Sequence, residues 1–291
     1  MRTISFCCLV IMTALLLGGC FSIGNDYGPK VDLALIMPLR VATFNIRGPA
    51  KPPPNDQKSR EPRIRKIIED NKFDLFGVQE AFREKHTAHI EAMPGYARID
   101  GGNKAFKGWS RRDSIFYRTD RLEVLDQGIF MLSEKPDSPG SKGWDCAEAR
   151  LAVWAKFKDK INGKIFFHYN THLDHVGKLA KRNGVELIVS HAEKNAAGCP
   201  VILTGDFNST PRSKVYAHVS SKLKDAAKIS EAPAVGPDFT FHAFGRGRSW
   251  YVDYIFVSSG IRVISHRIID TLIDGKYPSD HYPVIAELVW E

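Results

Sequence analysis

The stretch VILTGDFNST, residues 201–210, passes from an apolar run directly into polar residues. Its β-branched and aliphatic start is typical of a buried strand, and the Ser-Thr-Pro that follows is typical of a turn. Asp206 and Asn208 stand at the junction, two residues apart, so on an extended chain both side chains can face one point. Burying a carboxylate without a partner costs several kcal/mol. The pattern therefore indicates a polar cleft or a metal site, although the pair could also form an Asx turn.

The same pattern recurs where other apolar runs end, in LRVATFNI (39–46), DLFGVQE (74–80), KIFFHYNTHL (164–173) and WYVDYIFVS (250–258), and just before PVIAELVW (283–290). The polar residues that these runs add are Asn45, Glu80, Asn170, His172, Asp174, Asp253, Asp280 and His281. Each alone has an ordinary explanation, such as a strand cap or a satisfied buried histidine. Oxygen donors in a chain with few cysteines indicate magnesium, manganese or calcium rather than zinc.

Helical and strand patterns are mixed along the chain without strict alternation. Residues 49–62 carry five prolines and predict a loop, with a helix starting near Pro62 and another over roughly 176–195. This order favours an α/β fold in which strands stack as two sheets with helices outside, rather than one parallel doubly wound sheet.

The first residues differ from the rest of the chain. Arg2 precedes an apolar run, and residues 1–19 predict a secretory signal that is too short to span a bilayer comfortably. The ending LGGC resembles a bacterial lipobox, so Cys20 is the expected site of a lipid anchor; an ordinary cleaved signal is the alternative. Residues 20–38 then form a tether, and 39–291 form one domain. We expect an exported lipoprotein of the bacterial cell envelope.

The chain is basic, with 41 Lys and Arg against 33 Asp and Glu among 291 residues. Without the signal the net charge stays at about +7, which suits nucleic acid or an anionic lipid surface but also a merely soluble protein. Cys146 and Cys199, which remain after Cys20, could pair outside the cytoplasm, but two cysteines make neither a disulfide framework nor a zinc spacing.

The motifs TFNIR, QE, NTHL, GDFN and SDHYPV follow one another in this order from about Leu39 to the C-terminus. Together they resemble the endonuclease/exonuclease/phosphatase superfamily of metal-dependent phosphoesterases. The segments GWD (143–145) and NTHLDHVG (170–177) are most similar to bacterial secreted members. The resemblance implies a four-layer α/β/β/α sandwich of two mixed sheets flanked by helices, with the active site at one rim.

The resemblance also implies roles for the polar residues. Glu80 would hold one or two Mg²⁺ or Mn²⁺ ions with Asn45 and Asp280. The catalytic group would be His172, Asp206, Asn208, Asp253 and His281, with Asp206 deprotonating the attacking water and His281, held by Asp253, contacting the phosphoryl oxygens. Asn170, Arg111 and Asp174 would bind the substrate.

One position departs from the pattern of the superfamily. Many relatives carry a Glu where this chain has Arg111, and in deoxyribonucleases that Glu partners the histidine matched by His172. Asp113, two residues on, could replace it, or Arg111 could face the substrate phosphate.

The expected function is hydrolysis of a phosphodiester, with nucleic acid as the substrate, by a monomeric nuclease at the cell surface. A phosphatase or a sphingomyelinase-type enzyme for lipid or sugar phosphates is the alternative. A lipoprotein that keeps the fold only to bind a partner is a third hypothesis, which Arg111 favours and the complete set of acidic residues disfavours.

Overall fold

Twelve strands and five helices build the part of the chain that a computed structural model describes, which is residues 37–48, 52–99, 104–106 and 112–291. The predicted signal, Cys20, Arg111 and all but the last two residues of the predicted tether lie outside these ranges, and their predictions stay untested. None of the helices in the described ranges has the length and apolarity needed to cross a membrane.

The strands in chain order are Leu39–Asn45 (β1), Leu75–Gln79 (β2), Tyr96–Ile99 (β3), Asp113–Arg118 (β4), Leu122–Met131 (β5), Leu151–Asp159 (β6), Ile165–His172 (β7), Val201–Asp206 (β8), Lys224–Asp225 (β9), Asp253–Val257 (β10), Ile261–Ile268 (β11) and Val284–Trp290 (β12). They form two six-stranded sheets, ordered β11-β12-β1-β2-β4-β3 and β5-β6-β7-β8-β10-β9. The β1–β2 and β7–β8 pairs are parallel, whereas the other pairs are antiparallel, so both sheets are mixed as predicted.

The helices are Gln57–Asn71 (α1), Glu84–Glu91 (α2), Lys178–Ala196 (α3), Lys214–Ser220 (α4) and Ala226–Ile229 (α5). Apolar residues of α1 and α2 pack on the outer face of the first sheet, and those of α3 and α4 on the outer face of the second. A third apolar core fills the space between the sheets. The four-layer sandwich is therefore confirmed.

The prediction of a loop up to Pro62 is wrong at its end, because α1 begins at Gln57 and contains Pro62. The side chain of Asp56 caps the helix by accepting a hydrogen bond from the Ser59 N–H at 3.1 Å. Pro62 lacks the N–H that would bond to the carbonyl of Lys58. Since Lys58 is exposed, water can satisfy that carbonyl and the helix continues.

The side chains that face the inter-sheet space change from apolar to polar toward one end of the sandwich. They are Leu39, Val41, Thr43 and Asn45 on β1, Phe166, His168, Asn170 and His172 on β7, and Ile202, Thr204 and Asp206 on β8. The alternation of a strand keeps these residues on one face. The polar side chains thus collect where these three strands end.

Candidate active site

Three strands of the second sheet bring their polar ends to the same level. His172 is opposite Asp206 in the parallel β7–β8 pair, and Asp206 is opposite Asp253 in the antiparallel β8–β10 pair. All three residues are at least 95% buried. The strand register alone therefore places two carboxylates and an imidazole side by side.

His281 comes from the other sheet, just before β12, and joins this group. Its Nδ1 lies 2.9 Å from Oδ2 of Asp253, and its Nε2 lies 3.8 Å from Oδ2 of Asp206. Burial lowers the pKa of His281, but the carboxylates of Asp253, Asp206 and Asp280 outweigh burial and raise it to about 10. The imidazole is therefore protonated at neutral pH, with Nδ1–H donating to Asp253 and Nε2–H directed toward Asp206.

Asp206 is held in place by two donors. Its Oδ1 accepts from the Asn208 backbone N–H at 2.9 Å, and its Oδ2 accepts from Nδ2 of Asn45 at 3.0 Å. Burial, followed by the negative charge of Asp253, raises the pKa of Asp206 to about 7, against the opposing effect of His281. A carboxyl group with such a pKa can accept a proton near neutral pH.

His172 is neutral and its side chain supports Asn208. Burial, then the positive charges of Arg150 and His281, lower the pKa of His172 well below its ordinary value. The Asn208 amide donates from Nδ2 to Nε2 of His172 at 2.9 Å and to the Leu173 carbonyl at 3.0 Å. Nε2 of His172 is thus an acceptor, and this neutral ring carries its proton on Nδ1.

Asn45, predicted as a metal ligand, is engaged in hydrogen bonds on both sides of its amide. Its Nδ2 donates to Asp206 and, at 3.3 Å, to Glu80, while its Oδ1 accepts from the Arg47 N–H at 3.0 Å. Turning the amide around would set its oxygen against two carboxylates. Asn45 therefore fixes the distance between Glu80 and Asp206.

Glu80 follows β2 in a left-handed conformation, with φ of 64°. A non-glycine residue in this region is strained, and such strain concentrates at functional sites. Its Oε2 accepts from the Gly48 N–H at 3.1 Å, and a Cβ on Gly48 would lie 2.2 Å from the Glu80 carbonyl oxygen. Glycine at position 48 is what lets the two backbones approach.

Glu80 and Asp280 share one cationic side chain. The Arg47 guanidinium lies 3.3 Å from Oε2 of Glu80 and 3.5 Å from Oδ2 of Asp280. Burial raises the pKa of Asp280, and the neighbouring charge of Glu80 acts in the same direction. Two nearly buried carboxylates on a cavity wall offer the hard oxygen donors that a divalent cation requires.

A second set of donors is also close enough to hold a metal. One ligand atom from each of Asp206, Asp253 and His281 lies within 4.8 Å of the others, and all three residues are buried. Oδ1 of Asp253 has no hydrogen-bond partner within the described part of the chain. However, Nδ1 of His281 is already bonded to Asp253, and a protonated imidazole competes with a cation for the same carboxylates.

Asn170 does not bind substrate, contrary to the prediction, because it is fully buried between the sheets. Its Nδ2 donates to the carbonyls of Val78 and Ser114, and its Oδ1 accepts from Gln79 at 2.7 Å and Thr204 at 3.2 Å. All its hydrogen-bonding capacity is used within the protein, so it joins the two sheets instead.

Asp174 is likewise wrongly predicted as a substrate contact. It is 98% buried, and its carboxylate accepts from the backbone N–H groups of four residues, Ala147, Glu148, Val176 and Gly177. Burial raises its pKa, but these four donors outweigh burial and lower the pKa to about 2. Asp174 therefore ties together two loops at the rim.

The sequence offers Asp113 and Arg111 as the two residues that could take the place of the missing Glu near His172. No hydrogen bond between described residues joins Asp113 to His172, whose Nε2 is instead close to Asn208 and Asp206. Burial raises the pKa of Asp113 to about 8, with Arg150 and Arg112 opposing it. Arg111, the other candidate, lies outside the described residues.

The predicted residues Glu80, His172, Asp206, Asn208, Asp280 and His281 line one cavity of about 1270 Å³. Sequence reasoning named none of the Lys and Arg residues that the structure places on its wall, among them Arg47 and Arg150. Arg47 lies within the TFNIR motif, two residues after Asn45, and that spacing was a usable signal. Arg150 precedes β6 with nothing in the sequence to distinguish it, yet its side chain is only 11% exposed and its Nε lies 3.7 Å from Oδ2 of Asp174.

Comparisons with known proteins agree with this geometry. A profile of the Endonuclease/Exonuclease/phosphatase family matches residues 42–281. A search of curated proteins finds no match. The crystal structure of an endonuclease/exonuclease/phosphatase from Bacteroides vulgatus is 38% identical, with a TM-score of 0.81 over 88% of this chain and 100% of that one.

Two further solved structures are similar. A mannosyl-6-phosphatase from Bacteroides thetaiotaomicron is 33% identical, with a TM-score of 0.77 over 87% of this chain and 100% of that one. The human nocturnin catalytic domain, 21% identical, shares the fold with a TM-score of 0.67 over 90% of this chain and 96% of that one. The chain therefore belongs to the endonuclease/exonuclease/phosphatase family, whose members hydrolyse phosphate esters.

Proposed function

We propose that the protein hydrolyses phosphate esters with a divalent metal ion, using Asp206 to activate water and His281 to stabilise the phosphoryl group. The observation that carries this proposal is the contact set Asp253–His281–Asp206, in which a buried cationic imidazole and a carboxyl group of raised pKa face the same cavity. Few purely structural needs justify burying so many ionisable groups together.

Asp206 is the general base of the proposed reaction. Two hydrogen bonds fix its carboxylate, so an attacking water bound to it would be aimed in one direction. Its pKa of about 7 allows it to take the proton of that water near neutral pH. Asn45 and Asn208 are positioning residues in this scheme, because they act through Asp206.

His281 supplies positive charge on the other side of the reacting phosphorus. Its Nε2–H can donate to a phosphoryl oxygen or to the leaving oxygen, and Asp253 fixes the orientation of the ring. Negative charge grows on the leaving oxygen as its bond to phosphorus breaks. A preoriented imidazolium therefore stabilises the transition state more than the ground state.

Glu80 and Asp280 are the residues that would hold the metal ion. They present carboxylate oxygens to the cavity and are not bonded to an imidazole. We prefer them to the set of Asp206, Asp253 and His281, in which the imidazole already pairs with the two carboxyl groups. When bound, a divalent ion acts as a Lewis acid toward a phosphoryl oxygen. Mg²⁺ or Mn²⁺ suits these donors.

The proposed substrate is a phosphate monoester of a sugar. The support is the mannosyl-6-phosphatase relative, which is matched over its whole length, together with an aromatic surface at the cavity. The Trp250 side chain is 43% exposed there, and its ring offers a flat surface on which the apolar face of a sugar ring can stack.

Nucleic acid is the second candidate, as a phosphodiester substrate. Among the described residues that line the cavity, seven are Lys or Arg and four are Asp or Glu. A surplus of positive charge favours a polyanion. Lys178, Arg182 and Lys214 contribute to it and are exposed.

A substrate panel tests the proposal. It contains mannose 6-phosphate, p-nitrophenyl phosphate, bis-p-nitrophenyl phosphate, single-stranded and double-stranded DNA, RNA and sphingomyelin, each with Mg²⁺, with Mn²⁺ and with EDTA. We expect hydrolysis of the sugar phosphate that EDTA abolishes and that Asp206→Ala or His281→Ala removes without unfolding. Cleavage of DNA or RNA with a steep loss at high salt would select the second candidate. If none of these substrates is hydrolysed in a metal-dependent way, the proposal is refuted.

We further propose that a lipid on Cys20 anchors the enzyme at the cell surface as a monomer. The support is the lipobox-like sequence LGGC at residues 17–20. Cys20→Ser should move the protein from the membrane fraction to the soluble fraction, and an unchanged distribution would contradict the anchor.

A further inference from the structure

Arg60 of α1 is a buried cation outside the cavity, and its position needs an explanation. Its side chain is fully buried. Among the described residues it forms no ion pair within 4.0 Å. Arg121, a buried arginine at the far end of the sandwich, differs in that it pairs with Asp74 and Asp159. Burying a guanidinium against neutral groups costs several kcal/mol.

The guanidinium of Arg60 donates to backbone carbonyls from two distant parts of the chain. Nη1 donates to the Ile46 carbonyl and, at 3.4 Å, to that of Pro278, while Nη2 donates to the Arg47 carbonyl. Its Nε donates to Asn55 at 2.9 Å. One planar side chain thus joins the segment after β1 to the segment before β12.

These two segments carry the proposed metal site. The first contains Arg47 and Gly48, both of which contact Glu80, and the second leads into Asp280 two residues after Pro278. The Ser279 hydroxyl reinforces the same junction by donating to the Asn45 carbonyl at 2.6 Å. The distance between Glu80 and Asp280 therefore depends on the contacts that Arg60 makes.

We infer that Arg60 is a positioning residue of the metal site, which sets the spacing of Glu80 and Asp280 by clamping the backbone segments 46–48 and 278–280. The inference rests on the proposed function. Arginine suits this task because its rigid fork can donate to several acceptors at once. A lysine keeps the charge but cannot reach the same carbonyls together.

The test measures Mn²⁺ binding to the folded protein by electron paramagnetic resonance, a readout that does not depend on turnover. Removing groups that orient metal ligands typically weakens metal affinity by about 10–100-fold. We expect Arg60→Lys to raise the Mn²⁺ dissociation constant by about tenfold or more, whereas turnover at saturating Mn²⁺ falls less.

Arg121→Lys is the matched control, because Arg121 is also buried and donates to the carbonyls of Met37 and Pro38 at the opposite end of the sandwich. It should lower the melting temperature and leave the dissociation constant unchanged. Equal Mn²⁺ affinity of Arg60→Lys and wild type would overturn the inference. Absence of Mn²⁺ binding by the wild type would instead refute the proposed metal site itself.

Ser279→Ala provides a second variant in case Arg60→Lys does not fold. It removes the bond to the Asn45 carbonyl, together with two weaker contacts at 3.4 Å to Oδ1 of Asp280 and from the His281 N–H, and leaves every charge in place. We expect the Mn²⁺ dissociation constant to rise by at least about threefold. This is less than the loss of about 10–100-fold that is typical when a group that orients a metal ligand is removed. An unchanged constant in this variant would contradict the clamp.

Discussion

At the scale of single residues, Asp206 and Asp253 bring two carboxyl groups into one buried region, with the His281 imidazole between them. The arrangement costs folding stability, since burial raises the pKa of Asp206 to about 7. Groups needed for chemistry are often unfavourable for the fold. The catalytic role of Asp206 can therefore be tested apart from its effect on stability, by replacing it with asparagine, which has the same shape and no charge.

Asp206→Asn should abolish hydrolysis and raise the melting temperature measured in EDTA at pH 8. The ionised form is disfavoured in the folded state, because the folded pKa of about 7 lies above the ordinary 3.8. The cost is absent below the unfolded pKa, grows as the pH rises from about 4 to 7 and then stays constant. The gain in melting temperature should therefore shrink at pH 5. A variant less stable than the wild type at pH 8 would contradict the raised pKa of Asp206 in the folded protein.

Asp253→Asn should lower the pKa of His281, because burial already favours the neutral ring and only the neighbouring carboxylates oppose it. NMR titration of the His281 ring nitrogens in EDTA measures this directly. The wild-type ring should stay protonated until about pH 10, whereas in the variant it should lose its proton at lower pH, with activity falling accordingly. Asp270→Asn, at an exposed aspartate, is the control. An unchanged His281 pKa would exclude the proposed pairing.

At the scale of elements, the sequence predicted the central strands well and missed the four edge strands, β3, β5, β9 and β11. β1, β7, β8 and β12 have uninterrupted apolar or alternating patterns, and their predicted bounds agree within two residues. β5 and β11 lie at sheet edges, and each contains a register shift, between Val124 and Asp126 and between Val263 and Ser265. A bulge breaks the two-residue period on which strand prediction depends.

The contact between β2 and β7 across the sheets makes a further prediction. A Cβ on Gly77 would lie 2.0 Å from Oδ1 of Asn170 and 2.5 Å from Oγ1 of Thr204. Gly77→Ala should therefore lower the free energy of unfolding in urea by roughly 3 kcal/mol. Adding Asn170→Ala removes the closer of these two contacts. The double variant should therefore be destabilised by less than the sum of the two single effects.

Gly184→Ala is the control for this experiment. Gly184 is also buried, but it lies in α3, and its nearest neighbour would be a flexible Leu132 side-chain atom at 3.3 Å. We expect a change within about 1 kcal/mol, because the helix gains from alanine. A Gly77→Ala variant as stable as the Gly184→Ala variant would show that Asn170 does not pack as described.

At the scale of the whole molecule, the site depends on residues spread from Asn45 to His281 that meet at one end of the sandwich. The motifs predicted most of these residues, because strand ends on one rim must lie close together. They could not predict which polar side chains turn inward. Asn170 and Asp174 have the same chemistry as true site residues, but backbone groups and, for Asn170, the side chains of Gln79 and Thr204 occupy their hydrogen-bonding atoms. Nor could they show that Arg47 lies between Glu80 and Asp280.

The location of a bound cation tests the central claim most directly. Crystals soaked in MnCl₂ would show the ion by its anomalous scattering. The account predicts Mn²⁺ bound by the carboxylates of Glu80 and Asp280, with Asp206 and His281 facing it across the cavity. Mn²⁺ held by Asp206, Asp253 and His281, with none at Glu80, would contradict it.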